Sequence, residues 1–401
     1  MMRDDDTTGR DGVDDRERLR AMAADMVSRG VRRVHVLAWR DLDDPEAGGS
    51  ENHADEFMRR WQEAGLSVLH RTSRAAGRTA VERRHGYDVV RRGGRMSVFP
   101  RVAASEITGR MGSYDALVEI WNGVPWLSPV WCRKPRVLIL HHIHGPMWNQ
   151  MFPAPLAAVG RTIETRLAPP LYRRTPTVTT STDTHEELLH LGWRPHIVTT
   201  GPVGVDDFFS PGGTKTAHPS VLAVGRQAPV KRYVNLLEQV RLARERVPDL
   251  SLTLVGDGPE RGAIEWWIRE RDATWVTLAG RVERDELREQ YRKAWVVASA
   301  SLAEGWGLAL TEAAGCGTPA VATDISGHRC SVLHERTGIL APLSELGASI
   351  ARVLGDHELR GRLSVEAQRR ARTLTWDALA VGVLKPLHAQ VVHPDRRDRA
   401  R

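Results

Sequence analysis

SLAEGWGLALTEAAGCGTPAVAT fills residues 301–323. It sets Glu304 and Glu312 eight residues apart, with Gly305 and Gly307 between them and then the apolar start of a helix. That spacing puts one carboxylate on a loop and the other about two turns along the helix, beside the free N–H groups and positive dipole end of its first turn. Such a corner suits a phosphate carrying a hydroxyl-rich group on each side. The amides take phosphate oxygens, each carboxylate accepts from hydroxyls, and the glycines let the backbone come close. The plainer reading, a loop glutamate and a helix-surface glutamate, does not account for EGWG and the following helix together.

Working outward, the same half repeats a strand-then-helix rhythm. SVLAVG (220–225), LSLTLVG (250–256), WVTLAG (275–280), WVVASA (295–300) and PAVATD (319–324) read as strands, and a helix-rich segment runs from about Leu343 to Ala389. Pro211 to Pro219 is rich in Gly, Pro, Ser and Thr and reads as a linker. Before it, VRRVHVLAW (31–39), LSVLH (66–70), YDVV (87–90), DALVEI (115–120), RVLIL (136–140) and TVTT (177–180) are strand candidates. A Gly-rich loop, PEAGGSE (45–51), follows the first strand, then a helical pattern with Phe57, Met58 and Trp61 on one side. Strands separated by helix-length segments predict an α/β fold with parallel sheets.

The 401 residues are comfortable for two cores. No run of about 18 apolar residues exists, and the mean hydropathy of −0.37 argues against a membrane-embedded chain. The charged N-terminus, MMRDDDTTGRDGVDDRERLR, has no apolar core of a secretory signal and reads as a disordered tail leading into a helix. Cys132, Cys316 and Cys330 show no metal or redox spacing, which fits reduced thiols in a cytoplasm. The formal charge is +7, with ten arginines between Arg71 and Arg110 against Glu82, Asp88 and Glu106. The plain reading of that stretch is a solvated surface. The sharper one is a face for anionic lipid headgroups or a phosphorylated acceptor, peripheral to the inner side of a membrane. The stretch has few aromatics and no nucleic-acid module appears, so nucleic acid is not an expected partner.

VGR (224–226), VGDGP (255–259), GRV (280–282), the Glu304/Glu312 loop, TGILAP (337–342) and LTWDALA (374–380) occur in the order found in the family-4 retaining glycosyltransferases of the GT-B fold, which the chain resembles from about Val31 to Ala389. The Gly48-Gly49 loop, the His141-His142 pair and GVDDFFSPG (204–212) fit as well. The resemblance implies two Rossmann-like domains facing a cleft. With a tail at 1–20, the acceptor-side domain would span 21–210 and the nucleotide-sugar domain 211–375, and a crossover helix and basic tail would fill 376–401. Ligands would lie at the carboxyl ends of the strands.

By this resemblance Arg226 and Lys231 hold the donor diphosphate, where two cations offset charge that builds as the sugar–phosphate bond breaks. The alternative for them is a surface basic pair. Glu304 would face the donor sugar, Glu312 would accept from the nucleotide's ribose, and the amides near Gly305, Gly307 and Leu308 would bind phosphate. Gly48 and Gly49 would approach the diphosphate across the cleft, although a diglycine alone is often only a flexible turn. A strand-end histidine would contact the donor sugar, at His141 with His142 as the alternative; at least one of the three histidines in LHHIHGPMW reads as structural. Arg281 would lie near the base through its backbone. Among Trp121, Trp126, Trp131 and Trp148, buried packing is the default and Trp121 is the one assigned to the acceptor cleft.

Asp41-Leu42-Asp43 has the D-x-D form that metal-dependent glycosyltransferases of the other major fold use. It precedes the diglycine loop, the wrong place for that role, and reads as an acidic loop near the acceptor; no obligatory metal and no other cofactor is expected. The chain departs from the family pattern at GPVGVD and at SGHRCSV after TDI, which leaves donor identity open. The combined expectation is a cytoplasmic, metal-independent enzyme moving a hexose from a UDP- or GDP-type nucleotide sugar to a hydroxyl acceptor on a glycan, lipid or metabolite. Its rivals are a GT-B sugar-nucleotide epimerase and a non-catalytic nucleotide-sugar-binding protein.

Overall fold

The computed structural model describes residues 15–151 and 153–394. Its first sheet contains β1 (Arg33–Leu37), β2 (Ser67–Thr72), β3 (Val81–Arg84), β4 (Tyr87–Arg91), β5 (Ala116–Trp121), β6 (Arg136–Leu140), β7 (Thr177–Thr179) and β8 (Val198–Thr200). The second contains β9 (Ser220–Val224), β10 (Ser251–Val255), β11 (Val276–Gly280), β12 (Val296–Ser299), β13 (Ala320–Thr323) and β14 (Gly338–Ala341). Near-continuous apolar strands such as ALVEIW and SVLAV are buried on both faces, as parallel sheets between helices require.

The first sheet runs β3-β4-β2-β1-β5-β6-β7-β8 and the second β11-β10-β9-β12-β13-β14. Every pairing is parallel except β3 with β4. Strand order therefore reverses between β1 and β5 in one sheet and between β9 and β12 in the other. Loops leaving the carboxyl ends of strands diverge at such a reversal and open a crevice.

Helix Trp376–Val392 returns from the second sheet to the first. It packs on helices Asp15–Ser28 and Gly49–Glu63 and on β6. Arg60 Nε donates to Asp377 Oδ1 at 2.6 Å, the Trp61 indole to the Ala380 carbonyl at 3.0 Å, and Gln390 exchanges hydrogen bonds with the Arg136 backbone. Phe57, Met58 and Trp61 are all fully buried along that contact.

Three sequence expectations change here. Helix Asp15–Ser28 begins inside the segment read as a disordered tail and buries Leu19; residues 1–14 and 395–401, the rest of the two tails, lie outside the described residues. The arginine-rich stretch is partly structural. Arg71 is buried and donates to the carbonyls of Thr72, Val90 and Arg92, and burial lowers its pKa to about 10. Asp41-Leu42-Asp43, read as an acidic loop, has its carboxylates tied up in ion pairs. Buried Arg91 binds Asp41 at 2.8 Å and Asp43 at 2.7 Å, Arg84 binds Asp43, and the pairs pin the loop after β1 to the β3–β4 hairpin. That hairpin turns at His85 and Gly86, both with positive φ, a two-residue turn that matches strand twist.

Candidate active site

The loops at the two reversals face each other. Across the cleft, Leu308 Cδ1 comes within 3.2 Å of where a β-carbon on Gly49 would stand, and His141 Cβ within 3.3 Å of one on Gly305. Thr180 Oγ1 donates to the Gly305 carbonyl at 2.9 Å, Ser326 to Ser181 at 3.1 Å, and Arg329 to Asp183 at 3.2 Å. The diglycine after β1, the histidines after β6 and the loop after β12 thus form one constellation.

On the second-sheet wall, Lys231 ends a short 3-10 turn after β9, and its ammonium meets Glu304 Oε1 at 2.5 Å. Ser301 Oγ donates to the same oxygen at 2.7 Å. The Arg232 guanidinium donates to the carbonyls of Ala300 and Ser301, and Leu302 N–H to that of Val230, so the β9 and β12 loops are braced together. Burial alone would raise the Glu304 carboxyl; the Lys231 ammonium, with a further part from His328, outweighs it and the net shift is downward. Glu304 is therefore an ionised carboxylate held by a cation.

Gly307 caps helix Leu308–Gly315 with φ 94°, a left-handed conformation that suits glycine. A β-carbon there would also press on the His328 ring at 3.2 Å. The helix's first N–H groups open beside Glu304. Four residues on, Glu312 accepts from buried Tyr291 OH at 2.8 Å, and burial raises its carboxyl. Arg226 is half-exposed and lies 3.6 Å from Glu46 of the opposite wall. Arg95 and Arg40 hold the same carboxylate at 2.7 and 3.2 Å.

The first-sheet wall is different in kind. Neither ring nitrogen of His53, His141 or His142 has a hydrogen-bond partner among the described residues, although all are buried. Burial pulls His141 and His142 down to about 3 and His53 well below its usual value, so all three are neutral near pH 7. His53 sits edge-on to His141 at 4.8 Å and His142 lies 4.6 Å from His144. Buried polar atoms ordinarily find partners, so these nitrogens are free to take hydrogen bonds from a molecule entering the cleft. Both His141 and His142 reach the Gly305 loop. Among the described residues no group of three or more His, Cys, Asp or Glu is arranged to hold a metal ion.

Two sequence-assigned residues fall outside this cluster. Trp121 is 1% exposed, packs at 5.1 Å on Tyr172 and donates to the Gly123 carbonyl, so its ring faces the core and not the acceptor cleft. The residue at the rim is its neighbour Asn122, whose side chain donates to Ser50 at the start of helix Gly49–Glu63. All six β5 residues are buried, and the first position beyond the strand end is the first free to face the crevice. Arg281 is exposed after β11, two strands out from β9 and the loop that carries Lys231. His53 and His328 were not singled out from sequence. His328 is fully buried, its Nδ1 bonded to the Thr323 carbonyl at 2.7 Å and its Nε2 without a partner. The departure SGHRCSV was its signal.

The family model for glycosyl transferases group 1 matches residues 205–370, the stretch carrying Arg226, Lys231, Glu304 and Glu312. This C-terminal part of the chain carries that family's pattern. A D-inositol 3-phosphate glycosyltransferase of Jonesia denitrificans is 33% identical over 175 residues, 41% of each chain. That of Pseudarthrobacter chlorophenolicus is 30% identical over 230 residues, 53% of this chain and 55% of the relative. The chain thus spans about half the length of these curated relatives. Among solved structures, sucrose-phosphate synthase from Thermosynechococcus elongatus superposes with a TM-score of 0.74 at 20% identity, covering 90% of this chain and 100% of that one. Anabaena HepE in complex with UDP and glucose gives 0.69 at 17% identity, covering 89% and 100%. The fold is GT-B, as the resemblance implied.

Proposed function

We propose that this protein is a retaining, metal-independent glycosyltransferase that moves a hexose from a UDP- or GDP-sugar to a hydroxyl of a cell-surface glycan or lipid-linked precursor, on the cytoplasmic side of the membrane. The observation that carries the reading is the second-sheet wall: Lys231 paired with Glu304, Arg226 beside them, and the open N-terminus of helix Leu308–Gly315 between Glu304 and Glu312. The helix amides and the two cations would take the diphosphate and offset the charge it gains on leaving. A divalent ion is then unnecessary for that task. Glu312 would accept from the ribose and Glu304 from the sugar. The UDP in HepE supports a UDP donor here.

The neutral imidazoles of His141, His142 and His53 would bind hydroxyls of sugar and acceptor. Attack would come on the face the phosphate leaves, with the departing phosphate taking the acceptor proton, so the reading needs no side-chain general base on this wall. The test is a thermal-shift screen against UDP-, GDP-, ADP- and dTDP-sugars, with and without EDTA, on the wild type and Glu312→Ala. At about 100 times Kd a ligand stabilises by about 2.7 kcal/mol. One base class stabilising the wild type alone, indifferent to EDTA, is expected; no shift with any nucleotide sugar would overturn the reading. Conversion of the donor without an acceptor would assign the site to an epimerase.

A further inference from the structure

We propose that His328 selects the sugar of the donor: its Nε2 accepts a hydrogen bond from a hydroxyl of the transferred hexose, beside Glu304. This deepens the proposed function and rests on it, since it takes a nucleotide sugar to be the ligand of the cleft. Helix Ser326–Ser331 follows the carboxyl end of β13, next to the loop that carries Glu304. Gly327 lets it pack there, because a β-carbon at 327 would stand 2.4 Å from the Glu304 carbonyl oxygen. The following residue, His328, is fully buried.

The fold sets the tautomer of this ring. Nδ1 lies 2.7 Å from the Thr323 carbonyl, which can only accept, so Nδ1 carries the proton and Nε2 offers a lone pair. Burial holds the ring below its ordinary pKa against the pull of Glu304, so it is neutral near pH 7. Nε2 is buried and has no partner among the described residues. An acceptor left unpaired out of water costs free energy, so Nε2 calls for a donor that arrives with the ligand.

Its direction follows from its neighbours. Cδ2, the ring carbon bonded to Nε2, is what a β-carbon on Gly307 would meet, at 3.2 Å. This edge of the ring therefore faces the turn between Glu304 and the first amides of helix Leu308–Gly315. Lys231 and Ser301 both bind Glu304 through Oε1, and no hydrogen bond reaches Oε2 among the described residues. Glu304 and His328 are close enough for each to shift the other's titration. Oε2 and Nε2 are thus two acceptors on one corner. A diphosphate can use neither, because both turn lone pairs toward an anion; its place is at Lys231, Arg226 and the helix amides. A sugar can use both, since each hydroxyl donates. Selectivity at this corner falls on the sugar and not on the nucleotide. A rival donor sits on the same loop: the Trp306 indole N–H is also buried and unpaired. If that were the partner of Nε2, His328 would brace the loop and serve every nucleotide alike.

Calorimetry separates the two. The ligands are the nucleoside diphosphate of the base class found in the thermal-shift screen, its sugar nucleotide, and analogues of that donor lacking one sugar hydroxyl each. They are titrated into wild type, His328→Asn, His328→Leu and Trp306→Phe, with melting temperature read on each. Asn keeps a donor for the Thr323 carbonyl and removes Nε2, whereas Leu removes both. The expected result is unchanged diphosphate affinity and sugar-nucleotide affinity lowered about tenfold in both His328 variants. One deoxy donor should bind wild type and His328→Asn equally, because it lacks the hydroxyl that Nε2 accepts from. On the unaltered protein, nitrogen-15 NMR of the ring should show Nε2 shifting with the sugar nucleotide and not with the diphosphate, which keeps the test decisive if the variants fold poorly. A loss shared equally by diphosphate and sugar nucleotide, a loss that Trp306→Phe reproduces, or an Nε2 resonance that the sugar does not move would overturn the proposal. Unchanged sugar affinity in a folded His328→Asn sinks this inference alone. A wild type that binds no nucleotide sinks it together with the activity proposal.

Discussion

The two walls of the cleft are built from opposite materials. On the second-sheet side each functional carboxylate already has a partner: Glu304 has Lys231 and Ser301, and Glu312 has Tyr291. On the first-sheet side three buried imidazoles have none. A wall whose charges are fixed before a ligand arrives acts on a fixed chemical group, as preorganised electrostatics requires. A wall of neutral, unpaired imidazoles presents donors and acceptors without charge, which suits hydroxyls and leaves the choice of hydroxyl compound to shape. Under the proposed function, the common donor chemistry and the particular acceptor would be separated onto two sheets.

The largest effect should come from breaking the charged wall. Lys231→Ala removes a cation from the leaving diphosphate and should lower kcat by about 10²- to 10³-fold, read in a transfer assay at saturating donor. Because Lys231 and Glu304 share one contact, Lys231→Ala/Glu304→Gln should cost much less than the product of the single losses. Additive losses would show that the two act separately and that this wall is no unit.

Acid sharpens the contrast between the walls. His141 has its folded pKa depressed to about 3 against an ordinary value of 6.5. A depressed base contributes stability that is present above 6.5 and is lost as pH falls toward 3. Denaturant melts at pH 7 and pH 4.5 should differ less in His141→Asn than in the wild type, by on the order of 2 kcal/mol. In the same range kcat/KM should show no limb near 6.5 that His141→Asn or His142→Asn removes. Such a limb would mean that the first wall carries charge after all.

Glu312→Gln keeps the shape and the Tyr291 bond but removes the charge that would meet a ribose. Nucleotide affinity should fall about tenfold by calorimetry, about 1.4 kcal/mol, with little change in kcat at saturation. The smallest effect belongs to Trp121. Its indole bonds inside the core, so Trp121→Phe should cost about 1 kcal/mol of stability and leave acceptor KM unchanged. A raised acceptor KM at unchanged stability would return this residue to the cleft.

The legibility of the two walls in the sequence differs for the same physical reason. Parallel strands buried on both faces leave long apolar runs, so eleven of the fourteen strands stand out as β-branched segments. The three not read as strands are short or charged: VERR is a charged edge strand paired only with β4, VTT spans three residues, and GILA sits inside a loop motif. Glu304, Glu312, Arg226 and Lys231 could be found because glycine-rich turns and fixed spacings accompany phosphate binding. His53 could not, since a histidine on the buried face of a helix looks like any core residue until the strand-end histidines are seen against it. Trp121, assigned to the acceptor cleft, packs instead in the core against Tyr172. Sequence gives the strand, but only the sheet shows that β5 stays buried through its last residue and that Asn122 is the first to emerge.

The most direct test of the central claim is a transfer assay with the donor named by the binding screen and a hydroxyl acceptor, in EDTA, comparing wild type with Lys231→Ala. It should read nucleoside diphosphate release and the anomeric configuration of the product by NMR. The account predicts diphosphate release coupled to a product that keeps the donor's anomeric configuration, undiminished by EDTA and lowered about 10²-fold or more in the variant. An inverted product, a rate abolished by EDTA, or a Lys231→Ala variant as fast as the wild type would contradict it.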